Sequence, residues 1–466
     1  MLLVNLLTWT CTISSSAQSN GKIAGDWAGV LGGVAGLPLI FHITNDSLTG
    51  YAVSFDNPLR NVIGLKCKPI TYKEDSLIIE STAGLKVAYR GKYQAATDSV
   101  YGSWYEGGQA QPLSLKRMLR PQTPHPPFNY RSDSLEYDNA GKTVHLGATL
   151  TRPLADKKYP VAILITGSGL QDRDETILGH KSFAVIADYL TRRGIAVLRV
   201  DDRTKGKSTG DVKNATSSDY ADDVITSINY LKTRNDIDTT RIGLIGHSEG
   251  GLIGPIAYSK WPHLKFIIML AGSGVPGSEI VLRQQTDPLK PISPAVFDAN
   301  YSLVKQKLQI LNDTYGAPDS VTLNQIKATY AQWKSGVPDS ILVILHAKDA
   351  SAGTYASQVS YEMRPWIRYF YKTDPAFFLQ QIKCPVLALN GEKDTQVYPE
   401  QNIPAIKAAL VKGGNTQTTT YIFPGLNHLF QHCHTCQYAE YATLDESFAP
   451  EVLTVMGDWI RKVCNL

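Results

Sequence analysis

The chain has few cysteines, little net charge and no long apolar run. Six cysteines in 466 residues do not read as a disulfide framework, and losing Cys11 with an N-terminal leader would leave an odd number. A formal net charge of +4, with no basic run interleaved with aromatics, implies no nucleic-acid partner. No segment reaches the ~20 apolar residues that a membrane span requires. No internal repeat of fixed period is visible. What remains is a globular composition, 43% hydrophobic and 19% charged, in a chain long enough for two or three domains.

Residues 1–19, MLLVNLLTWTCTISSSAQS, pair an apolar stretch with small residues. They read as a secretory signal cut after Ala17, which predicts a secreted or periplasmic protein. No Lys or Arg precedes the apolar run, so an ordinary N-terminal strand or tail is the alternative. Residues 22–120 are rich in short β-branched and aromatic segments such as PLIFHIT, LTGYAVSF and VYGSWYE, separated by N-D-S, D-N-P and T-D-S turns. About eight strands at that spacing predict a small all-β barrel or sandwich. Four prolines within residues 121–131 predict an extended linker. From residue 132 to 466 apolar strands alternate with amphipathic helices, which predicts an α/β domain with a mostly parallel sheet. A long, polar, helical stretch at about 275–381 interrupts the alternation and is expected to be a lid insertion.

The pattern G-x-S-x-G occurs twice, as GHSEG (Gly246–Gly250) and GKSTG (Gly206–Gly210). The first follows the strand-like RIGLI and opens the helical GLIGPIAYSK, the strand–turn–helix setting of a nucleophile elbow. The second follows VDDRTK and runs into a polar loop. It also lacks the first glycine of a phosphate-binding loop, because Asp201 stands there. Ser248 is therefore the candidate nucleophile and Ser208 a turn residue. A serine needs a histidine base, and the base needs a carboxylate that fixes its tautomer. In the order Ser, acid, His, Asp394 follows the strand PVLAL, with Glu392 as a competitor, and His428 follows TTYIF. The backbone N–H of Glu249, at a helix start, is one candidate oxyanion donor. Ser168, after the strand VAILI, offers the second, with Gly169 or Leu170 as fallbacks.

The stretches TGSGLQDRDE, VDDRTKGKSTGD, IGHSEGG, LNGEKDTQV and FPGLNHLFQ, in that order, resemble the α/β-hydrolase superfamily. Within it, the chain resembles bacterial carboxylesterases related to serine-aminopeptidase-like hydrolases. The resemblance implies an α/β-hydrolase fold from about Ser132 onward, with Ser248 as nucleophile, Asp394 as acid and His428 as base. It implies a serine esterase that acts on small acyl esters without a cofactor. Peptidase or acyl-thioester hydrolysis on the same triad is the alternative, and a non-catalytic binding protein the lesser one. GDWAGVL and YGSWYEGG resemble a β-domain found in front of secreted esterases. Many relatives have H-G-x where this chain has Thr166-Gly167-Ser168; a backbone donor survives that change.

Three expectations concern other residues. The loop QDRDE (Gln171–Glu175) is expected to brace the oxyanion loop through paired charges. Trp366, Tyr369, Phe370 and Tyr371 either line an acyl pocket or pack the lid. Three histidines and two cysteines between His428 and Cys436 look like a metal cluster, but no distant second pair matches them. Free thiols at Cys433 and Cys436 are the expected state, with a local disulfide as the alternative.

Overall fold

The computed structural model describes residues 22–32, 36–46, 50–60, 62–82 and 86–466. The leader-like segment 1–19 lies outside them. The described chain divides into two compact units.

The first unit holds the described residues up to Leu119 together with Gln437–Asp445. Its nine strands form a single antiparallel sheet, a half-barrel and not two packed layers. Alternate residues turn inward to build one aromatic-rich core that includes Trp27, Phe41, Phe55, Tyr89 and Trp104. The polar tips inside it are satisfied: Trp27 Nε1 donates to the Ile23 carbonyl at 2.9 Å and the Tyr89 hydroxyl to the Val100 carbonyl at 3.0 Å. Lys116 Nζ donates to Asp445 Oδ2 at 2.9 Å, tying the late segment to this sheet. Nothing in QYAEYATLD signals that return, because it has no strand alternation.

The second unit comprises Arg120–Cys436 and Glu446–Leu466. Its first residues, within the stretch expected to be an extended linker, bond inside this unit. Gln122 Oε1 accepts the backbone N–H of Ser447 at 2.6 Å and of Phe448 at 3.0 Å, and the Tyr130 hydroxyl donates to Asp188 at 2.9 Å.

Eight strands form the sheet of this unit: β1 (Arg131–Asp138), β2 (His145–Arg152), β3 (Tyr159–Ile165), β4 (Ala196–Val200), β5 (Ile237–His247), β6 (Phe266–Leu270), β7 (Val386–Gly391) and β8 (Thr418–Phe423). Their order is β1-β2-β4-β3-β5-β6-β7-β8. Only β2 runs against the others: its pairings with β1 and β4 are antiparallel, and all other pairings are parallel. This is the α/β-hydrolase fold.

Period-two alternation splits the core into two layers. Along β3, Val161, Ile163 and Ile165 pack with helices α2 (Ser217–Lys232) and α3 (Gly250–Lys260), while Ala162 and Leu164 face α1 (Ser182–Arg192). Being buried on both faces is why this strand reads as one continuous apolar run.

Between β6 and β7 lies the insertion, with seven α-helices from Gly277 to Leu379. It has apolar clusters of its own, one around Leu308, Ile326 and Tyr371 and another around Tyr330 and Trp333. Among the described residues no helix is long and apolar enough to cross a membrane.

Cys433 and Cys436 form a disulfide, with Cα atoms 5.0 Å apart, which corrects the expectation of free thiols. The chain folds back tightly here, with Cys436 at a φ of 60°, so the two Cα atoms fall within bridging range. His432 Nδ1 instead pairs with Glu446 Oε1 at 2.9 Å. Among the described residues no group of three or more His, Cys, Asp or Glu could hold a metal ion.

Candidate active site

Strand β5 pairs with β3 as far as Ile165–Gly246 and with β6 as far as His247–Leu270. The chain then turns sharply at Ser248 and enters α3 at Gly250. Ser248 has a φ of 52°, a left-handed conformation that costs a non-glycine residue on the order of 1–3 kcal/mol. Its N–H donates to the Leu270 carbonyl at 2.8 Å, which anchors the turn to β6. The flanking glycines are required by close approach. A Cβ on Gly246 would stand 2.0 Å from the Gly250 carbonyl oxygen, and one on Gly250 would stand 2.3 Å from that of Ile165.

Asp394 and His428 follow the ends of β7 and β8, and the fold brings them into contact. His428 Nδ1 and Asp394 Oδ2 are 2.8 Å apart, and both side chains are almost wholly buried. The other oxygen of Asp394 accepts the N–H groups of Gln396 at 2.8 Å and Val397 at 2.9 Å. Its competitor Glu392 turns away and accepts the Gly425 N–H at 3.0 Å. Asn427 holds the histidine loop, with Oδ1 accepting from Leu429 N at 2.9 Å and Gln431 N at 3.0 Å. With Nδ1 engaged by the carboxylate, Nε2 is the nitrogen that can take a proton. Among the described residues no hydrogen bond joins the Ser248 hydroxyl to His428; such contacts are commonly long before substrate binds.

The loop after β3 reaches the elbow: a Cβ on Gly167 would lie 3.1 Å from that of Ser248. The Gly167 N–H is engaged by Glu175 Oε1 at 2.8 Å, which leaves later N–H groups of this loop for an oxyanion. QDRDE does brace the loop. Arg173 pairs with Asp201, Arg199 with Asp174, and the N–H of Gln171 donates to Asp202 Oδ2 at 2.7 Å.

The carboxyl of Glu249, the other oxyanion candidate, is buried under the elbow. It accepts hydrogen bonds from the Ser217 hydroxyl and from Trp366 Nε1, each at 2.7 Å. Burial nevertheless raises its pKa. Trp366 thus ties the insertion to the elbow, while Tyr371 packs inside the insertion. Sequence reasoning named Trp366 and, within QDRDE, Glu175, but missed Ser217 and Asp202, whose partners lie far away in the chain.

A cavity of about 930 Å³ adjoins the elbow, a size suited to a small-molecule site. Its lining includes Ile163, Thr166, Gly167, Glu249 and Trp366 but not Ser248, Asp394 or His428 themselves. Asp202 also lines it; burial pushes its pKa up to about 7, with the charges of Glu175 and Glu249 adding to the rise.

A family model for X-Pro dipeptidyl-peptidases of the S15 family matches residues 141–411. The chain belongs to this family. The S15 family lies within the α/β-hydrolase clan, and the narrower likeness to serine-aminopeptidase-like proteins is not shown. Esterase EstD of Thermotoga maritima is 25% identical over 287 residues, 61% of this chain and 58% of EstD. The chain thus spans little more than half of that relative. The bifunctional esterase/perhydrolase DCH of Acinetobacter calcoaceticus is 26% identical over 243 residues, 52% of this chain and 77% of DCH. Among solved structures, a Pyrococcus furiosus esterase superposes with a TM-score of 0.42 at 14% identity, covering 74% of this chain and 98% of that one. A likeness that loose carries no argument here.

Proposed function

We propose that this S15-family chain hydrolyses small carboxylic esters through Ser248, His428 and Asp394. The observation that carries the proposal is the buried Asp394–His428 pair at 2.8 Å, set at the ends of the strands that follow a strained elbow serine. The Ser248 hydroxyl attacks the ester carbonyl and passes its proton to His428 Nε2. Asp394 orients the ring and stabilises its charged form. The N–H groups of Glu249 and Ser168 hold the oxyanion, each worth roughly 3 kcal/mol of transition-state stabilisation. Collapse of the tetrahedral intermediate releases the alcohol, which takes the proton from His428. Water then attacks the acyl-enzyme with His428 as base, and the acid leaves. No step needs a cofactor. Relatives named esterase support the choice of ester.

A peptidase reading has its own support in the description of the family and in the carboxyls of Asp202 and Glu249 at the cavity wall, which suit a free amino terminus. Acyl-thioester hydrolysis uses the same steps.

The test is hydrolysis of p-nitrophenyl esters from acetate upward, with Ser248→Ala alongside and a serine-directed phosphonate as titrant. Turnover and labelling lost together in the variant support the proposal. Labelling without ester turnover moves the function to aminoacyl amides or thioesters. Absence of both makes the chain a binding protein.

We also propose export to the periplasm or medium, supported by the leader-like residues 1–19 and the Cys433–Cys436 disulfide. N-terminal sequencing of the mature protein tests it; a start at Gln18 is expected, and an intact Met1 would refute it.

A further inference from the structure

His247, the residue before the elbow serine, is buried, and both of its ring nitrogens are within hydrogen-bonding distance of oxygens. Nδ1 lies 2.9 Å from Glu175 Oε1, and Nε2 lies 3.1 Å from the backbone oxygen of His428. A carbonyl oxygen can only accept, so Nε2 carries a proton. On the other side Glu175 Oε1 already accepts the Gly167 N–H at 2.8 Å. A second proton must therefore lie between Nδ1 and Oε1. The ring sits 4.8 Å, centroid to centroid, from that of His428.

The charged or titratable groups facing His247 are Glu175, Asp394 and His428. The surrounding wall is mostly apolar and includes Phe183, Ile186, Leu270, Leu429 and Phe448. Burial works against a charged ring here. The charge and hydrogen bond of Glu175, the His428 carbonyl and the charge of Asp394 outweigh it and raise the pKa of His247.

We propose that His247 is a doubly protonated imidazolium which, paired with Glu175, fixes the oxyanion loop and the loop of the base to the nucleophile strand. It is a positioning residue, and the inference rests on the roles proposed above for Ser248 and His428. Glu175 sets Gly167, and with it the next N–H, at Ser168. His247 sets the backbone of His428. Two loops from opposite sides of β5 thus take their positions from one ion pair.

The first test uses the full chain with ¹⁵N-labelled histidine side chains, the His247 signals being assigned by their loss in His247→Gln. Both ring nitrogens protonated at pH 7, in wild type and in Ser248→Ala, is the expected result. A neutral ring with one protonated nitrogen would overturn the proposal. This arm reads His247 whether or not the chain turns over esters, so failure of the esterase reading is seen separately. The second test is kcat/KM for p-nitrophenyl acetate at pH 7, with enzyme normalised by phosphonate titration, in His247→Gln, Glu175→Gln and the double variant. Each single variant is expected to lose about tenfold or more, and the double variant little more than either, because the two residues act as one pair. Losses that multiply in the double variant would show two separate packing roles and refute the pairing. If the variant does not fold, the wild-type ring protonation, assigned by its through-space contact to the His428 ring, still decides.

Discussion

Two short stretches of this chain have the same outline and opposite fates. GHSEG and GKSTG each set a serine between glycines after a buried strand. At Ser248 the backbone is held at a φ of 52° and the chain turns at once into α3. At Ser208 the hydroxyl is committed to structure: it donates to the Asp201 carbonyl at 2.7 Å and accepts the Gly147 N–H at 2.9 Å. A serine is a candidate nucleophile only where the fold leaves its oxygen uncommitted.

The largest effect expected from this contrast is on turnover. Ser248→Ala should lower kcat by about 10⁴-fold or more and leave the melting temperature nearly unchanged. Ser208→Ala should do the reverse, with kcat per folded molecule within a few fold and stability lower by about 1–3 kcal/mol for its buried hydrogen bonds. Ester assays and thermal melts on the two variants check both halves, and a Ser208→Ala enzyme that folds normally but is dead would break the comparison.

Next in size is the carboxylate. Asp394→Asn removes the partner that fixes the ring of His428, and kcat should fall by roughly 10⁴-fold. Glu392→Gln, two residues away, should stay within about threefold, as its carboxylate bonds only to the Gly425 N–H and pairs on the surface with Lys393. Steady-state kinetics separate the two.

A smaller effect, on folding, sharpens the elbow itself. Gly246→Ala brings a methyl to 2.0 Å from the Gly250 carbonyl oxygen, and the strand or helix must move. A loss of about 3 kcal/mol or more is expected, on the scale of severe overpacking, read by urea denaturation.

Asp202 gives the smallest effect. Its folded pKa, about 7, lies above the ordinary carboxylate value, so the folded state binds the proton more tightly than the unfolded chain. Its contribution to stability is therefore present at acid pH. That contribution declines as pH rises from near 4 to near 7, then stays constant. Asp202→Asn keeps a neutral side chain throughout and should gain about 1–2 kcal/mol on wild type between pH 5 and pH 8. Equal pH dependence of the two melts would refute this.

Much of the contrast between the two motifs is legible in sequence, because it depends on local order: strand before, helix after. The same holds for β3, whose two buried faces write an unbroken apolar run. The positions of Asp394 and His428 followed from strand ends and from the resemblance, and the loop geometry turns the competitor Glu392 away. The brace of His247 and Glu175 was out of reach, since its members are far apart in the chain and neither residue type alone signals a pair. Cys433 and Cys436 were within reach by spacing, yet whether they bridge depends on the backbone turn at Cys436. The membership of Gln437–Asp445 in the first unit left no mark at all, being made of contacts and not of periodicity.

That last feature bears on heredity as much as on shape. A gene segment ending near Pro121 does not encode the whole front unit, because part of that unit is written more than three hundred codons later. Exchange or loss of the front strands alone would leave behind a piece of their own unit, in which Tyr441 and Ala442 are now wholly buried. The two units are therefore expected to be inherited together, and recombination that separates them should need a compensating change around residue 440.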